Sequence, residues 1–350
     1  MNRIGLLLTM IAVLSGCQSM GPELNGVRSV YSTGNSVLYQ VQTQSNSPDQ
    51  AMQVAAMAYQ AGDLDQALYQ YLRVLELAPE RYEALVWVGR IHRERGNNQL
   101  AEMAFNEVLA KAPDNPDALT ELGLMNLSMR KYEQAKALLS KAVAVDQKRF
   151  VKDPANTQTG TAALRVDNKS PLKAYNGLGV LADLGDNFAE AQMYYRLAEL
   201  IEPRSAFVQN SLGYSYYMAG QWGEAEQHYK RGVSYDGTYK PLWRNYGLLL
   251  ARMARYEEAV SAFEQVEKRA EASNDVGYVC LVEGKLDIAE QFFRSAIEQS
   301  PGHYPVAWEN LNRVQQVRQI RQLGGNAPVA EPVAVGPAGP VVQVTTASAP

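Results

Sequence analysis

The chain contains few cysteines, few histidines and no long hydrophobic run. Two cysteines and three histidines occur in 350 residues, so a disulfide-rich fold is excluded and the core must be held by packing. No segment reaches the roughly eighteen apolar residues of a transmembrane helix. The formal net charge is −4, which disfavours a sequence-independent nucleic-acid binder, because such proteins need a basic surface.

A short apolar segment near the beginning of the sequence ends in a cysteine. Arg3 precedes an apolar run at residues 4–14, which is too short to span a bilayer and is typical of a signal peptide. The run leads into Leu14-Ser15-Gly16-Cys17, which resembles the bacterial lipobox. The resemblance implies that residues 1–16 are removed as a signal peptide and that Cys17 is acylated.

The residue after this cysteine implies a destination. Gln18 stands where an aspartate would retain a lipoprotein at the inner membrane, so the resemblance implies lipid anchoring in the outer membrane, facing the periplasm. Several acyl chains bury CH₂ groups at about 0.8 kcal/mol each, which gives a stable anchor where one chain would not. Acylation of Cys17 leaves Cys280 as the remaining thiol, so no intramolecular disulfide is expected.

Two segments lack any helical or strand period. Residues 17–47 are rich in Gln, Ser, Asn, Thr and Gly and are predicted to form a flexible tether with a reach of roughly 30 Å. Residues 324–350 consist largely of Pro, Gly, Ala and Val. That composition predicts a disordered or polyproline-like tail, in which a short motif for a partner is an open alternative.

The body between these segments is built from an internal repeat. Seven alanines recur at steps of 34, 34, 56, 34, 34 and 30 residues: Ala67, Ala101, Ala135, Ala191, Ala225, Ala259 and Ala289. A large apolar residue follows each alanine after four positions: Tyr71, Phe105, Leu139, Tyr195, Tyr229, Phe263 and Phe293. Residues with this spacing share one helical face. The pattern therefore predicts a helix at every alanine.

A second helix is predicted upstream of each alanine by Leu-Gly or a close variant. Six glycines hold the same phase in this helix: Gly89, Gly123, Gly179, Gly213, Gly247 and Gly277. A glycine within a helix costs about 1 kcal/mol relative to alanine, so a repeated glycine indicates close packing of two antiparallel helices. We expect the aromatic ring to fill the gap against the next pair.

This pattern resembles the tetratricopeptide signature over nearly all of residues 48–303. The resemblance implies an all-α solenoid of about seven helix-turn-helix repeats, with repeats 1–3 in residues 48–149 and repeats 4–7 in residues 172–303. The 56-residue step places an insertion at residues 150–171, and the 30-residue step suggests a shortened helix between the sixth and seventh repeats. Residues 304–323 fit a capping helix, which repeat arrays require for solubility.

No group of residues has the spacing of a catalytic or metal site. The three histidines fall on different repeats, and Cys280 occupies a position expected to be buried. The run Gly177-x-Gly179-x-x-Ala182 approximates a dinucleotide fingerprint, but the repeat phase already explains Gly179. We expect no enzyme activity, metal or cofactor. A hydrolase that uses paired carboxylates remains a further alternative.

The first helix of each repeat is expected to line a concave inner surface. With the glycine as the eighth residue of a unit, the second, fifth, ninth and twelfth positions face inward. Arginine, asparagine and tyrosine at such positions suit recognition of a peptide or protein. The predicted groove residues are Arg90, Arg93, Asn176, Asn210, Tyr214, Tyr217, Arg244, Asn274 and Tyr278.

Several runs carry a more specific resemblance. The lipobox, "AYNGLGVLADLGDNFAEAQMYYRLA" and "NSLGYSYYMAGQWGEAE" resemble the TadD lipoproteins of Flp (tight adherence) pilus assembly. The resemblance implies a non-enzymatic scaffold that supports the pilus secretion apparatus, in a pilotin-like way, by binding the outer-membrane secretin or another component. An adaptor for another envelope machine, such as peptidoglycan synthases or hydrolases, is the alternative. The sequence gives no prediction of oligomeric state.

Overall fold

The computed structural model describes residues 45–150, 164–300 and 302–323. Within these ranges all regular secondary structure is α-helical, and no helix there is both long and apolar enough to cross a membrane. The predicted signal peptide, the acylated Cys17, the sorting residue Gln18, most of the tether and the tail lie outside the described residues.

The described ranges hold fifteen helices in chain order. They are α1 (Pro48–Gln60), α2 (Leu64–Leu77), α3 (Tyr82–Glu94), α4 (Asn98–Lys111), α5 (Pro116–Ser128), α6 (Tyr132–Lys148), α7 (Leu172–Leu184), α8 (Phe188–Ile201), α9 (Ala206–Met218), α10 (Trp222–Tyr235), α11 (Lys240–Arg252), α12 (Tyr256–Phe263), α13 (Arg269–Val282), α14 (Leu286–Gln299) and α15 (Pro305–Gln322). Helices α1 to α14 form seven helix-turn-helix pairs, and α15 follows them. The predicted all-α array, with an insertion after the third pair and a final capping helix, is confirmed.

Each pair turns through one residue in the left-handed region of backbone conformation, with φ between 57° and 79°. The seven residues are Gly62, Gly96, Arg130, Asp186, Gly220, Ala254 and Gly284. Their spacing repeats the steps of the seven alanines. Four are glycines, which adopt this conformation without the steric penalty of a Cβ atom.

The seven repeat alanines and the aromatic or leucine residues that follow them form the core. All seven alanines are fully buried, and so are six of the seven large residues, with Tyr71 only 1 % exposed. The glycine of the first helix accommodates the ring of the second helix of its own pair. A Cβ atom on Gly213 would lie 2.5 Å from the Tyr229 ring, and one on Gly179 would lie 2.4 Å from the Tyr195 ring.

The ring also contacts the next pair, as expected: the Tyr229 ring lies 5.8 Å from that of Tyr246 on α11. The contact within the pair is an addition to this expectation, and it recurs where a Cβ atom on Gly247 would lie 2.9 Å from the Phe263 ring. The glycine therefore sets the distance between the two helices of one repeat. The 30-residue step is explained by α12, which has eight residues where the other second helices have at least fourteen.

The chain divides into two compact units, Met1–Ala104 and Phe105–Pro350. In the first unit, Trp87 of α3 stacks on Tyr71 of α2 with ring centroids 5.7 Å apart, and Tyr59 of α1 meets Trp87 edge-on at 4.9 Å. In the second unit, one hydrophobic core runs from Leu119 to Val317. That core includes Leu311, Val314 and Val317 of α15, so the capping helix is packed onto the last repeat.

The end of the insertion is fastened to the end of α6. The side chain of Gln147 donates to the Arg165 carbonyl oxygen at 2.7 Å and accepts from the Arg165 backbone N–H at 3.0 Å. Arg149 binds the carboxylates of Asp146 and Asp167. These hydrogen bonds lower the pKa of Asp167 to about 2. Residues 165–170 are therefore held in place at the start of the fourth repeat.

Candidate functional site

The first helices of the second unit form a continuous row. Helix α5 contacts α7, which contacts α9, and the succession continues through α11 and α13 to α15. The second helices contact the first helices of their own and the following pair. We call the five first helices α5, α7, α9, α11 and α13, together with the capping helix α15, the inner row.

Asparagines link neighbouring helices of the inner row. The Asn245 amide donates to the Asn210 side-chain oxygen at 2.9 Å, and the Asn310 amide donates to that of Asn274 at 3.0 Å. All four residues are at most 3 % exposed. A buried amide needs a hydrogen-bond partner, and each of these amides finds one on the next helix of the inner row. The two pairs therefore link neighbouring helices.

The predicted groove positions Asn176, Asn210 and Asn274 are therefore buried between helices, with exposures of 5 %, 1 % and 3 %. The prediction had placed their amides at a surface facing a ligand. The inner-row helices approach closely enough to bury these three asparagines, whereas Arg244, at the same fifth position of α11, is half-buried. These three residues contribute to packing between repeats.

Two predicted tyrosines lie together on the inner row. Tyr214 and Tyr217 of α9 are half-buried, with ring centroids 6.2 Å apart. Burial raises the pKa of both phenols, so both are neutral at physiological pH. The guanidinium of Arg252, on the next first helix, lies 5.6 Å from the centre of the Tyr217 ring. This is a cation–π distance, and it places the end of α11 beside Tyr217.

The ends of successive first helices meet along one edge. Arg252 at the end of α11 reaches Glu283, immediately after α13, at 3.8 Å. Gly284 follows, and its carbonyl oxygen accepts from the Arg321 guanidinium of α15 at 3.5 Å. The edge therefore runs without a break from Tyr217 to the end of the capping helix.

Three exposed apolar residues at the ends of first helices were not predicted. Leu184, Met218 and Val282 are the last residues of α7, α9 and α13, and they are 53 %, 44 % and 42 % exposed. With Arg252, the last residue of α11, they form what we call the inner stripe. Their spacing of 34, 34 and 30 residues follows the repeat. Each of these residues stands at the thirteenth place of its repeat, one position after the predicted twelfth place, so the repeat phase could have located them.

The remaining predicted residues of the second unit lie on neighbouring helices. Arg244 of α11 pairs with Glu267 at 3.2 Å, so its guanidinium already has an anionic partner. Burial and the nearby carboxylate of Asp275 raise the pKa of Glu267 to about 7. Tyr278 is half-buried on α13.

The two predicted arginines, Arg90 and Arg93, belong to the first unit. Both are half-buried on α3. The Arg90 guanidinium lies 4.6 Å from the centre of the Trp87 ring, where it extends the aromatic stack of Trp87 and Tyr71. The nine predicted residues therefore fall into an arginine pair in the first unit and seven residues in the second, of which the three asparagines are buried.

Asp183 occupies the place of Tyr217 one repeat earlier, but it is buried. Its carboxylate accepts from the Tyr195 hydroxyl at 2.8 Å and from the Ser215 hydroxyl at 2.7 Å. Burial raises its pKa from the usual 3.8 to about 6, although both hydrogen bonds act in the opposite direction. This carboxyl group ties α7 to α8 and α9.

We predict that Asp183 makes the stability of the fold depend on pH. Between pH 4 and 6 the folded state holds a proton that the unfolded chain has released, so the free energy of unfolding falls as pH rises, by up to about 3 kcal/mol. Its contribution is complete below pH 4 and is lost above pH 6. Urea unfolding of Asp183→Asn across this range should show a flatter profile than the wild type.

A control isolates this effect. Asp186 is exposed in the adjacent turn with φ of 57°, a conformation that asparagine also tolerates. Asp186→Asn should keep the wild-type profile. Identical pH profiles for Asp183→Asn and the wild type would contradict the assignment.

The other titratable candidates serve packing. Cys280 is fully buried and its pKa is raised to about 11 by burial. His228 stacks on Tyr216, and burial lowers its pKa to about 4. Among the described residues, no three side chains of His, Cys, Asp or Glu are placed to hold a metal ion.

Comparison with known proteins agrees with this architecture. Residues 57–116 and 245–304 match one tetratricopeptide-repeat family, and residues 92–152 match a second. These segments are tetratricopeptide repeats. The human cell division cycle protein 16 homolog is 25 % identical over 177 residues, which are 50 % of this chain and 26 % of that protein. The match therefore spans about a quarter of that relative's length.

Two solved structures illustrate what this chain is similar to. The Cut9–Hcn1 hetero-tetramer of the APC/C contains a chain similar to this one, with a TM-score of 0.55 at 16 % identity, covering 79 % of this chain and 50 % of that chain. PilW, described as a widely conserved type IV pilus biogenesis factor, gives a TM-score of 0.46 at 17 % identity over 77 % of this chain and 98 % of its own. At 16 % identity the likeness to the Cut9–Hcn1 chain concerns the fold alone.

Proposed function

We propose that this tetratricopeptide-repeat protein is a non-enzymatic, lipid-anchored adaptor whose inner stripe binds a protein partner. In this proposal the anchor is Cys17, the protein faces the periplasm from the outer membrane, and the machine is the Flp pilus secretion apparatus. The partner is its outer-membrane secretin. The inner stripe is the observation that carries the proposal.

The inner stripe has the chemistry of a protein-binding surface. Leu184 and Met218 expose apolar side chains at equivalent places on the neighbouring helices α7 and α9, and Val282 does so on α13, beyond Arg252 of α11. Exposed apolar patches mark interaction sites. Tyr214 and Tyr217 lie beside them and offer large, partly apolar rings with few rotatable bonds. Because packed helices hold these side chains, little conformational entropy is lost on binding.

The environment of the titratable groups supports a non-enzymatic role. Asp183, His228 and Cys280 are buried in contacts between helices, where a substrate would have to displace the packing to reach them. Burial raises the pKa of the Tyr214 and Tyr217 phenols, so both are neutral, and Arg244 and Arg252 are paired with Glu267 and Glu283. The surface is suited to recognition and carries no activated nucleophile in the described region.

The lipid anchor and the assignment to the Flp pilus apparatus are proposed from the sequence. The Leu14-Ser15-Gly16-Cys17 motif supports acylation, and Gln18 supports the outer membrane. The runs around Gly179 and Gly213 support the Flp pilus, since they carry the resemblance to its assembly lipoproteins.

Affinity isolation from cells that assemble Flp pili tests this function. A tagged wild-type chain should fractionate with the outer membrane and recover the secretin. Cys17→Ser should move the chain to the soluble periplasmic fraction and reduce secretin recovery, because the chain is no longer concentrated at the membrane. Unchanged fractionation of Cys17→Ser would contradict the anchor. Recovery of a peptidoglycan synthase or hydrolase without secretin would contradict the pilus assignment.

A further inference from the structure

The chain leaves the described structure beside the inner stripe. Helix α15 ends at Gln322, and Arg321 places this end against Gly284, two residues after Val282. Leu323 is 87 % exposed. The segment 324–350 therefore starts at one end of the edge that leads to Tyr217.

The composition of this segment matches the surface it starts from. Residues 324–350 contain five prolines and six valines but one charged side chain, Glu331. Proline-rich segments bind to aromatic-lined grooves, because they are already extended and lose little entropy on binding. Tyr214 and Tyr217 supply such rings beside Met218.

The length of the segment is sufficient. Packed helices lie about 9 Å apart, so the three steps from α13 to α7 span roughly 30 Å. An extended chain advances about 3.1 Å per residue, so the first twelve residues after Leu323 cover roughly 37 Å. Residue 328, the fifth after Leu323, lies roughly 16 Å along this path. Residues 328–335, "PVAEPVAV", would then lie opposite Met218 and Leu184.

We propose that residues 328–335 bind the inner stripe of their own chain as an internal ligand. Valines of this segment cover Met218 and Leu184, and prolines lie on Tyr214 and Tyr217. A partner that binds the inner stripe must displace the segment. The inference concerns a contact within one chain and does not depend on the identity of the partner.

Alkylation of an introduced cysteine tests the contact in the full-length chain. Met218→Cys is made with Cys17→Ser, so that Cys280 is the remaining native thiol, buried and with a raised pKa. The rate of reaction with N-ethylmaleimide is measured by mass spectrometry. If the segment is bound in about three quarters of the chains, only the remaining quarter reacts. Val333→Asp with Val335→Asp releases the segment in all chains and should therefore raise the rate about fourfold.

Three controls make the result specific. Leu200→Cys, on the exposed face of α8 and 68 % exposed, should react at a rate that the two aspartates do not change. Ala347→Asp with Ala349→Asp adds the same charge outside the binding segment and should leave the Met218→Cys rate unchanged. Tenfold dilution should leave the protection intact, because the contact is within one chain.

Two results would overturn the proposal. One is an unchanged Met218→Cys rate in the Val333→Asp, Val335→Asp chain, which would show that the segment does not cover the inner stripe. The other is loss of protection on dilution, which would assign the segment to a second copy. The assay contains no secretin, so either result would overturn this contact and would not bear on the proposed function, which has its own experiment.

Discussion

Replacing Gly213 by valine should lower the free energy of unfolding by about 3 kcal/mol or more, near the upper end of the cost of overpacking a core. The site offers no space, because the new Cβ atom would lie 2.5 to 2.9 Å from three atoms of the Tyr229 ring. Tyr229 is itself fully buried, so its ring cannot turn outward. The two helices of the fifth repeat would have to separate.

Gly223 provides a matched control for this substitution. It lies near the start of α10, where a new Cβ atom would meet nothing within 4 Å. Gly223→Val should change stability by no more than about 0.5 kcal/mol, as for most surface substitutions. Urea unfolding followed by circular dichroism measures both variants. If Gly213→Val lowered the free energy of unfolding by less than 1 kcal/mol, the prediction would be contradicted, because α9 and α10 could then separate at little cost.

Removing the two inner-row tyrosines should nearly abolish partner binding. Tyr214→Ala with Tyr217→Ala removes both rings next to Met218, and tyrosines at the centre of an interface commonly carry 2 kcal/mol or more. We expect the affinity for the purified secretin to fall about 100-fold, which is about 2.7 kcal/mol. Titration of the secretin with fluorescently labelled chain measures this change.

The controls for this prediction separate binding from folding. Tyr214→Phe with Tyr217→Phe keeps both rings and should retain most of the affinity. Tyr132→Ala removes a 40 % exposed tyrosine from the start of α6, a second helix, and should bind like the wild type. Each variant should keep the wild-type helical content. If the variant without both rings bound the secretin with full affinity, the inner row would not be part of the binding surface.

The sequence predicted the features that repeat in phase. The alanine series located the second helices, the glycine series located the first helices, and the 30-residue step anticipated the eight-residue α12. These features were readable because each depends on contacts within one pair, so seven copies of the same contact leave seven copies of the same residues. The left-handed turn residues follow the same rule, since Arg130, Asp186 and Ala254 occupy the glycine position of the other turns.

Features that depend on neighbouring repeats were harder to predict. The fifth position was assigned to a groove, but the spacing between first helices buries Asn210 and pairs it with Asn245. A helical phase gives the direction of a side chain and does not give the distance to the next helix. The exposed end residues Met218 and Val282 were missed for the same reason. The attachment of Asp167 to Arg149 spans the insertion, so no local pattern encodes it.

Photo-crosslinking in living cells tests the central claim, which is that the inner stripe is the protein-binding surface. A photoreactive amino acid replaces Met218 on the inner stripe in one strain and Leu200 on α8 in another; both side chains are exposed and apolar. Our account predicts that the Met218 position traps the secretin and the Leu200 position does not. Secretin trapped from Leu200 and not from Met218 would contradict it.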